Sequence, residues 1–411
     1  MKNRFFRFGL VFILSIVSIL SWWTLPAQAM TEEQKLLAEV WRVVNYSYVD
    51  RTFNHQNWWA IREKAIKQPL RNREETYAAI SKMLASLDDP FTRHLQPNQY
   101  RSLQVTTSGE LTGVGLQIAL DEETGNLQVI APIAGSPAEQ AGLQPRDRIL
   151  EIDGVSTKQI GLDEAAARMR GPIGTSVTLK VWRSGKEAKE FELVRDRIAL
   201  NPVFAELRSQ SDGIPVGYIR LNQFNANATK ELANAITNLE ERGAEGYILD
   251  LRNNPGGLLQ AGIEIARMWL ERGTIVYTVN RQGVFGSFDA TGSALTQDPL
   301  VVLVNGGTAS ASEILAGALQ DNHRAQIVGE KTFGKGLIQS LFDLSDGSGL
   351  AVTVAKYETP NHHDINKLGI MPDRVVNWEP TSRAEFATEA DQQYQAALKL
   401  LTPHSVLADA A

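Results

Sequence analysis

The 411-residue sequence contains no cysteine. That one absence excludes disulfides, thiolate metal sites and a thiolate nucleophile. An excess of positive charge is also missing: 41 Lys and Arg stand against 47 Asp and Glu, a net of −6. No tract is basic enough to track a phosphate backbone, so nucleic acid is not expected as a partner. After the first thirty residues no apolar run is long enough to span a bilayer. Internal repeats and low-complexity tracts are lacking too. A hydrophobic share of 43% and a charged share of 21% are those of an ordinary globular chain.

The first thirty residues stand apart. Lys2, Arg4 and Arg7 precede an apolar run from Phe8 to Leu20, and Ala27-Gln28-Ala29 closes it. A basic start, an apolar stretch and a small-x-small site together read as a secretory leader spanning 1–29. At this length two or three domains are expected beyond it. Residues 30–104 carry helical periodicity: Leu37, Val40, Trp41 and Val44 share one face, as do Tyr77, Ile80 and Leu84. Residues 105–196 read as a small separate domain. There "TGVGLQIAL" is a glycine-lined loop entering a strand, and "GSPAEQAG" a short helix with Ser136 as N-cap and Pro137 at its first position. "LDEAAARMRG" reads as a helix, and "SVTLKVWRSGKEAKEFELV" as a hairpin through Ser184-Gly185.

Residues 197–411 alternate. "VGYIRL", "YILDLR", "TIVYTV" and "PLVVLV" are apolar, β-branched runs, with helical segments between them. That order predicts an α/β domain of βα units on a buried, mostly parallel sheet. Two further strands, joined by "SDGSG", follow Gly336.

"GEKTFGKG" nearly spells a phosphate-binding loop through Gly329, Gly334 and Lys335. The position that should be Ser or Thr is Gly336, and a strand pattern follows where a helix should, so no nucleotide is expected. Lys335 needs another task. "VVLVNGGTASASEILAGALQDN" offers a partner: a buried strand, two glycines, and a helix starting near Ser310. A serine there meets unpaired N–H groups and the positive end of the helix dipole, which suit an oxyanion. Taken alone, Ser310 or Ser312 would be an N-cap. Lys335, between two glycines at the start of a strand, changes that balance.

His323 does not serve as the base, because thirteen residues along one helix separate it from Ser310 by about 19 Å. A lysine serves if burial lowers its pKa from about 10.4. Gln339, four residues on and on the same strand face, would orient the amine without adding charge. Ser310 as nucleophile, Lys335 as base and Gln339 as orienter is the constellation predicted. His362-His363-Asp364 lacks a third ligand at a readable spacing and is taken as a surface loop, so no metal and no cofactor are expected.

"TASASEI", "GEKTFGKG" and the 25-residue spacing from Ser310 to Lys335 resemble the carboxyl-terminal processing, or tail-specific, proteases. "LDDPFTR", "LTGVGL", "DLRNNPGG" and "SDGSGLAVTVAKYETP" extend the resemblance over nearly the whole chain after the leader. It implies a Ser–Lys endopeptidase on a ClpP/crotonase-like α/β core with an inserted PDZ domain and a helical N-terminal segment. It also implies that Gly257 and Ala311 offer N–H groups to the oxyanion. Asp321, which recurs in such proteases, is expected to give structural support. Glu313, one turn from Ser310, is expected to touch the site.

The PDZ resemblance implies that backbone groups of Gly113, Val114, Gly115 and Leu116 hold the free carboxylate of a protein substrate's C-terminus. The N-terminal segments resemble the photosynthetic branch, which trims the photosystem II reaction-centre precursor. With the leader, this implies export to a cyanobacterial thylakoid lumen or periplasm, and a membrane-protein precursor as substrate. The alternatives are a general periplasmic tail-specific protease and a non-catalytic PDZ scaffold.

Overall fold

The computed structural model describes residues 30–121, 124–209, 214–377 and 385–401; the expected leader at 1–29 lies outside them. The chain divides into two compact units, one holding residues up to His94 together with Leu341–Val352, the other holding the rest.

Among its described residues the first unit is built on three helices, α1 (Glu32–Ser47), α2 (Trp58–Ile66) and α3 (Arg73–Ala85). Each starts where a side chain can satisfy free amides: Thr31, Asn57 and Asn72 accept from the first turns. The expected apolar faces are buried through Leu37, Val40 and Val44 on α1 and Ile80 and Leu84 on α3. The "SDGSG" turn belongs to this unit. Asp346 accepts from Tyr77 Oη at 2.7 Å and Ser348 Oγ at 2.5 Å, and Ser345 Oγ donates to Glu39 at 2.7 Å.

In the second unit α4 (Pro97–Ser108) comes first, and it runs through the point at residue 104 where the sequence suggested a boundary. Proline opens it and Gly109, at φ +66°, ends it in the left-handed conformation that glycine adopts without penalty. β1 (Glu110–Gly113) then leads into the small domain: β2 (Leu116–Leu120), β3 (Leu127–Pro132), α5 (Pro137–Gln140), β4 (Arg148–Ile152), α6 (Leu162–Met169), β5 (Ser176–Trp182) and β6 (Lys189–Val194). These strands pair in chain order, which leaves β2 at the sheet edge. Ser136 caps α5 and the β5–β6 hairpin forms, both as expected.

β7 (Asp196–Ala199) returns beside β1 and leads to β8 (Val203–Arg208). The larger domain follows: β9 (Val216–Leu221), α7 (Ala228–Glu241), β10 (Gly246–Asp250), α8 (Leu259–Trp269), β11 (Thr274–Asn280), β12 (Gly283–Asp289), β13 (Leu300–Val304), α9 (Ala311–Asp321), β14 (Gln326–Gly329), β15 (Leu337–Asp343), β16 (Gly349–Glu358), β17 (Arg374–Val375) and α10 (Gln392–Leu401). One sheet has the order β8-β9-β10-β13-β14-β17, parallel from β9 onward with β8 antiparallel at its edge. β10 and β13 are buried at every position, as central parallel strands should be.

"TIVYTV" does not join this sheet, contrary to the expectation. As β11 it pairs antiparallel with β12 and β16 in a second sheet. The turn at Arg281-Gln282 gives it a local hairpin partner, and most of its positions are only partly buried. A core that includes Leu249, Leu251, Ile263, Trp269, Leu315, Leu319 and Tyr357 packs α8 and α9 against strands of both sheets. Each fully buried leucine or isoleucine there contributes roughly 1.5–3 kcal/mol.

Candidate active site

β10 and β13 are neighbours, so the loops leaving their carboxyl ends, 251–257 and 305–310, meet. Side chains tie the two loops together. Asn305 Oδ1 accepts the Asn253 amide at 2.9 Å, its Nδ2 returns a bond to Asn253 Oδ1 at 2.9 Å, and Thr308 Oγ1 donates to the Leu251 carbonyl at 2.9 Å. The buried Asn254 carbonyl takes the Ala309 amide and Ser312 Oγ, each at 3.0 Å. Ser312 is therefore fully buried and committed to structure, while Ser310 remains partly accessible.

Ser310 has φ +58° and ψ −119°. An N-cap residue ordinarily sits in the extended region, and positive φ costs a non-glycine residue of the order of 1–3 kcal/mol. What holds it there is visible. Its amide donates to Glu313 Oε2 at 2.9 Å, and its carbonyl accepts the Glu313 and Ile314 amides at 2.8 and 3.0 Å.

Glu313 is fully buried and reaches further. Oε2 also takes the Lys335 amide at 2.9 Å, and Oε1 takes the Gly334 amide at 2.7 Å and Thr332 Oγ1 at 2.5 Å. One carboxylate oxygen thus holds the backbones of Ser310 and Lys335 together, although 25 residues separate them in sequence. Thr332 is fixed in turn by donating to Glu313 and accepting the Ile370 amide at 2.7 Å. From the other side Tyr357 Oη bonds the carbonyl of Ser310 at 3.1 Å and that of Lys335. Lys335 itself is partly buried.

Gly257 forms an isolated parallel bridge to Phe224 in which its neighbours make the bonds: Phe224 donates to the Gly256 carbonyl at 3.0 Å and Leu258 to the Phe224 carbonyl at 2.7 Å. In that pattern the bridging residue's own N–H points away from its partner. Gly257 is exposed there, and Gly256 packs so tightly that a Cβ on it would stand 2.9 Å from both Ser310 Cβ and the Ala311 nitrogen. Ala311, first residue of α9, has one of the amides that a helix leaves unpaired. The loop of Gly257 and the start of α9 thus converge beside Ser310.

Gln339 lies on β15, half-buried, with Nε2 donating to Thr353 Oγ1 at 3.5 Å. Asp321 ends α9, about 16 Å along the axis from Ser310, and accepts the Asn361 amide at 2.9 Å. His323 follows it, exposed. His362 Nδ1 meets Glu358 at 2.9 Å and its ring stacks on Tyr277.

Sequence reasoning did not single out Asn254, Thr332 or Tyr357. All three sit inside quoted motifs, but no spacing rule distinguishes them. A buried charge cluster beneath the loop was missed as well: Arg252 binds Asp250 at 2.6 Å and Asp391 at 2.8 Å, and Tyr218 Oη donates to Asp250 at 2.7 Å. Burial by itself would raise the Asp250 carboxyl, but the Arg252 charge and hydrogen bonds outweigh it and hold the group below its usual range.

In the small domain Gly113 lies against the end of α6, where a Cβ would stand 3.2 Å from the Met169 carbonyl. The Val114 carbonyl takes the Ala138 amide at 2.9 Å, and that of Gly115 takes the Ile133 amide at 2.8 Å and Ser136 Oγ at 3.2 Å. With these carbonyls bound inward, Gly115 adopts φ +76°, and any Cβ there would fall 2.2 Å from Ser136 Cβ. Leu116 opens β2, whose unpaired edge lies beside α6. Arg195 braces the end of α6 by donating to the Arg168 and Met169 carbonyls at 2.7 and 3.3 Å.

Strand-end loops clamped around a strained serine, with a lysine on the same carboxylate and a PDZ-like sheet earlier in the chain, define a class of PDZ-bearing serine-type peptidases. Residues 215–376 match the model of peptidase family S41, and 128–183 match a PDZ domain. A carboxyl-terminal-processing protease of Synechocystis sp. is 68% identical over 380 residues, 92% of this chain and 89% of its own. The chloroplastic carboxyl-terminal-processing peptidase 2 of Arabidopsis thaliana is 48% identical, over 89% of this chain and 73% of its own. Among solved structures, a photosystem II D1 C-terminal processing protease superposes with a TM-score of 0.57 at 43% identity, over 88% of this chain and 98% of that one. The chain belongs to peptidase family S41, among its carboxyl-terminal-processing proteases.

Proposed function

We propose that the protein is a serine endopeptidase that removes C-terminal extensions with Ser310 as nucleophile and Lys335 as general base. The observation that carries this reading is Glu313 Oε2 accepting the amides of both residues at 2.9 Å. Ser310 Oγ attacks the scissile carbonyl while neutral Lys335 Nζ takes its proton. The amides of Gly257 and Ala311 stabilise the oxyanion. Lys335 then protonates the departing amine, and water hydrolyses the acyl-serine by the same route. Gln339 orients the lysine side, and Asp321 supports the far end of α9.

The PDZ domain reads the substrate's free carboxylate at Gly113–Leu116, with the tail laid along the open edge of β2. The substrate is the photosystem II reaction-centre precursor, a membrane protein, and the enzyme works after export to a thylakoid lumen or periplasm. The likeness to a photosystem II D1 C-terminal processing protease at 43% identity supports this substrate, as does the likeness to the chloroplastic peptidase. No helix among the described residues is long and apolar enough to cross a membrane. The domain limits that accompany this reading are those expected from the sequence, 30–104, 105–196 and 197–411, with the first boundary falling inside α4 and 341–352 packing with the first unit. Incubation with a reaction-centre peptide bearing its extension, read by mass spectrometry, tests the reading. A single cut releasing the extension is the expected result; an intact peptide alongside cleavage of unrelated tails would point to a general tail-specific protease.

A further inference from the structure

Lys335 stands between Gly334 and Gly336, so no neighbouring side chain restrains the peptide planes that carry it. Hydrogen bonds must do so. Glu313 supplies them on the amide side, at Thr332, Gly334 and Lys335. On the carbonyl side the bond comes from Tyr357, whose hydroxyl meets both the Lys335 and the Ser310 carbonyls. We propose that Tyr357 is a positioning residue of the active site, its hydroxyl fixing Lys335 relative to Ser310. The inference rests on the reading of these two residues as base and nucleophile.

The anchoring of the ring makes this specific. Tyr357 is 1% exposed within the central core, pairs with Thr278 of β11, and donates its own amide to the Gly336 carbonyl at 3.1 Å. It cannot follow a wandering loop, so the loop must come to it. Burial pushes the hydroxyl well above the ordinary tyrosine range, and the charges of Glu313 and Asp364 push the same way. It therefore stays protonated and remains a donor throughout the working pH range. A hydroxyl has one proton to donate. The Ser310 carbonyl already receives two helix amides, so loss of the hydroxyl bears hardest on Lys335.

The test compares full-length Tyr357→Phe with wild type, with Tyr247→Phe and with Ser310→Ala, on a peptide with a cleavable tail. Tyr247 is another fully buried tyrosine of the same core, and its phenylalanine variant controls for loss of a buried hydroxyl. The expected result for Tyr357→Phe is a tenfold to hundredfold fall in kcat with KM within about twofold, the scale of effect that small misplacements produce. The pH at which kcat/KM rises should shift as well, because a displaced lysine titrates in different surroundings. Tyr247→Phe should move neither. Wild-type kcat and an unmoved pH limb in Tyr357→Phe, beside an inactive Ser310→Ala, would overturn the inference alone. Cleavage by Ser310→Ala would overturn the underlying dyad, and the inference with it. If Tyr357→Phe does not fold, 3,5-difluorotyrosine at 357 keeps the shape and alters the donor. An unchanged rate and limb in that protein count against the inference, and a change in both supports it.

Discussion

Ser310 and Glu313 share a helical turn, and Glu313 reaches back to the Ser310 amide as the N3 residue of a capping box does. The strained serine is held by the glutamate, which also carries the lysine segment. Ser310→Ala and Lys335→Ala should each lower peptide cleavage about a thousandfold or more with unchanged melting temperature. The double variant should be little worse, since groups that act as a unit are not additive. His323→Ala, exposed beyond the far end of α9, should cleave normally. A lysine base also requires activity to rise toward alkaline pH, and a maximum near pH 5 would contradict it. Glu313→Gln keeps the shape but turns an NH2 toward donors that need an acceptor. It should cost about 1–3 kcal/mol of stability for each amide left unpaired and lower kcat more than it raises KM; thermal melts and steady-state kinetics read the two effects separately.

Among the elements, the loop leaving β10 matters most, because it is fixed from below and from beside. Below, Arg252 joins Asp250 to Asp391 at the start of α10, all fully buried. Arg252→Met would take from two buried carboxylates the cation hydrogen-bonded to both, at a cost of roughly 3–5 kcal/mol. Asp250 has a lowered folded pKa, so the unfolded chain binds its proton more readily. Its contribution is present above about pH 4, the usual aspartate value, and is lost as pH falls through the folded value. Urea midpoints should therefore drop below about pH 4, and Arg252→Met should flatten that dependence. Beside the loop, Gly256 at φ +91° leaves no room for a methyl group against Ser310. Gly256→Ala should abolish cleavage while Gly243→Ala, a helix-end glycine with open space around it, should not; parallel cleavage assays decide this.

For the whole molecule the question is how a tail is chosen. If the PDZ edge reads a free carboxylate, amidating the peptide's C-terminus removes charge-assisted bonds and should raise KM at least tenfold with kcat nearly constant. Gly115→Val, which would collide with Ser136, should do the same to the free-ended peptide. Equal rates for free and amidated peptides would move tail selection to the surroundings of Ser310.

Local chemistry made much of this chain legible in advance. The helix cap at Ser136, the buried strands 246–250 and 300–304, and the loop-then-helix at Ser310 all follow from signals a few residues long. Such signals state which backbone an element prefers, and the motifs around Ser310 and Lys335 named the residues to watch. Long-range partners were not legible. Nothing near Thr274 announces that β11 leaves the parallel sheet, and nothing near Tyr357 announces a hydroxyl between two distant carbonyls. By itself the sequence determined the composition of the site and the elements that carry it. Only the tertiary structure decided that Glu313 and Tyr357 grip the same two residues, because burial and hydrogen-bond satisfaction are settled by segments that meet in space.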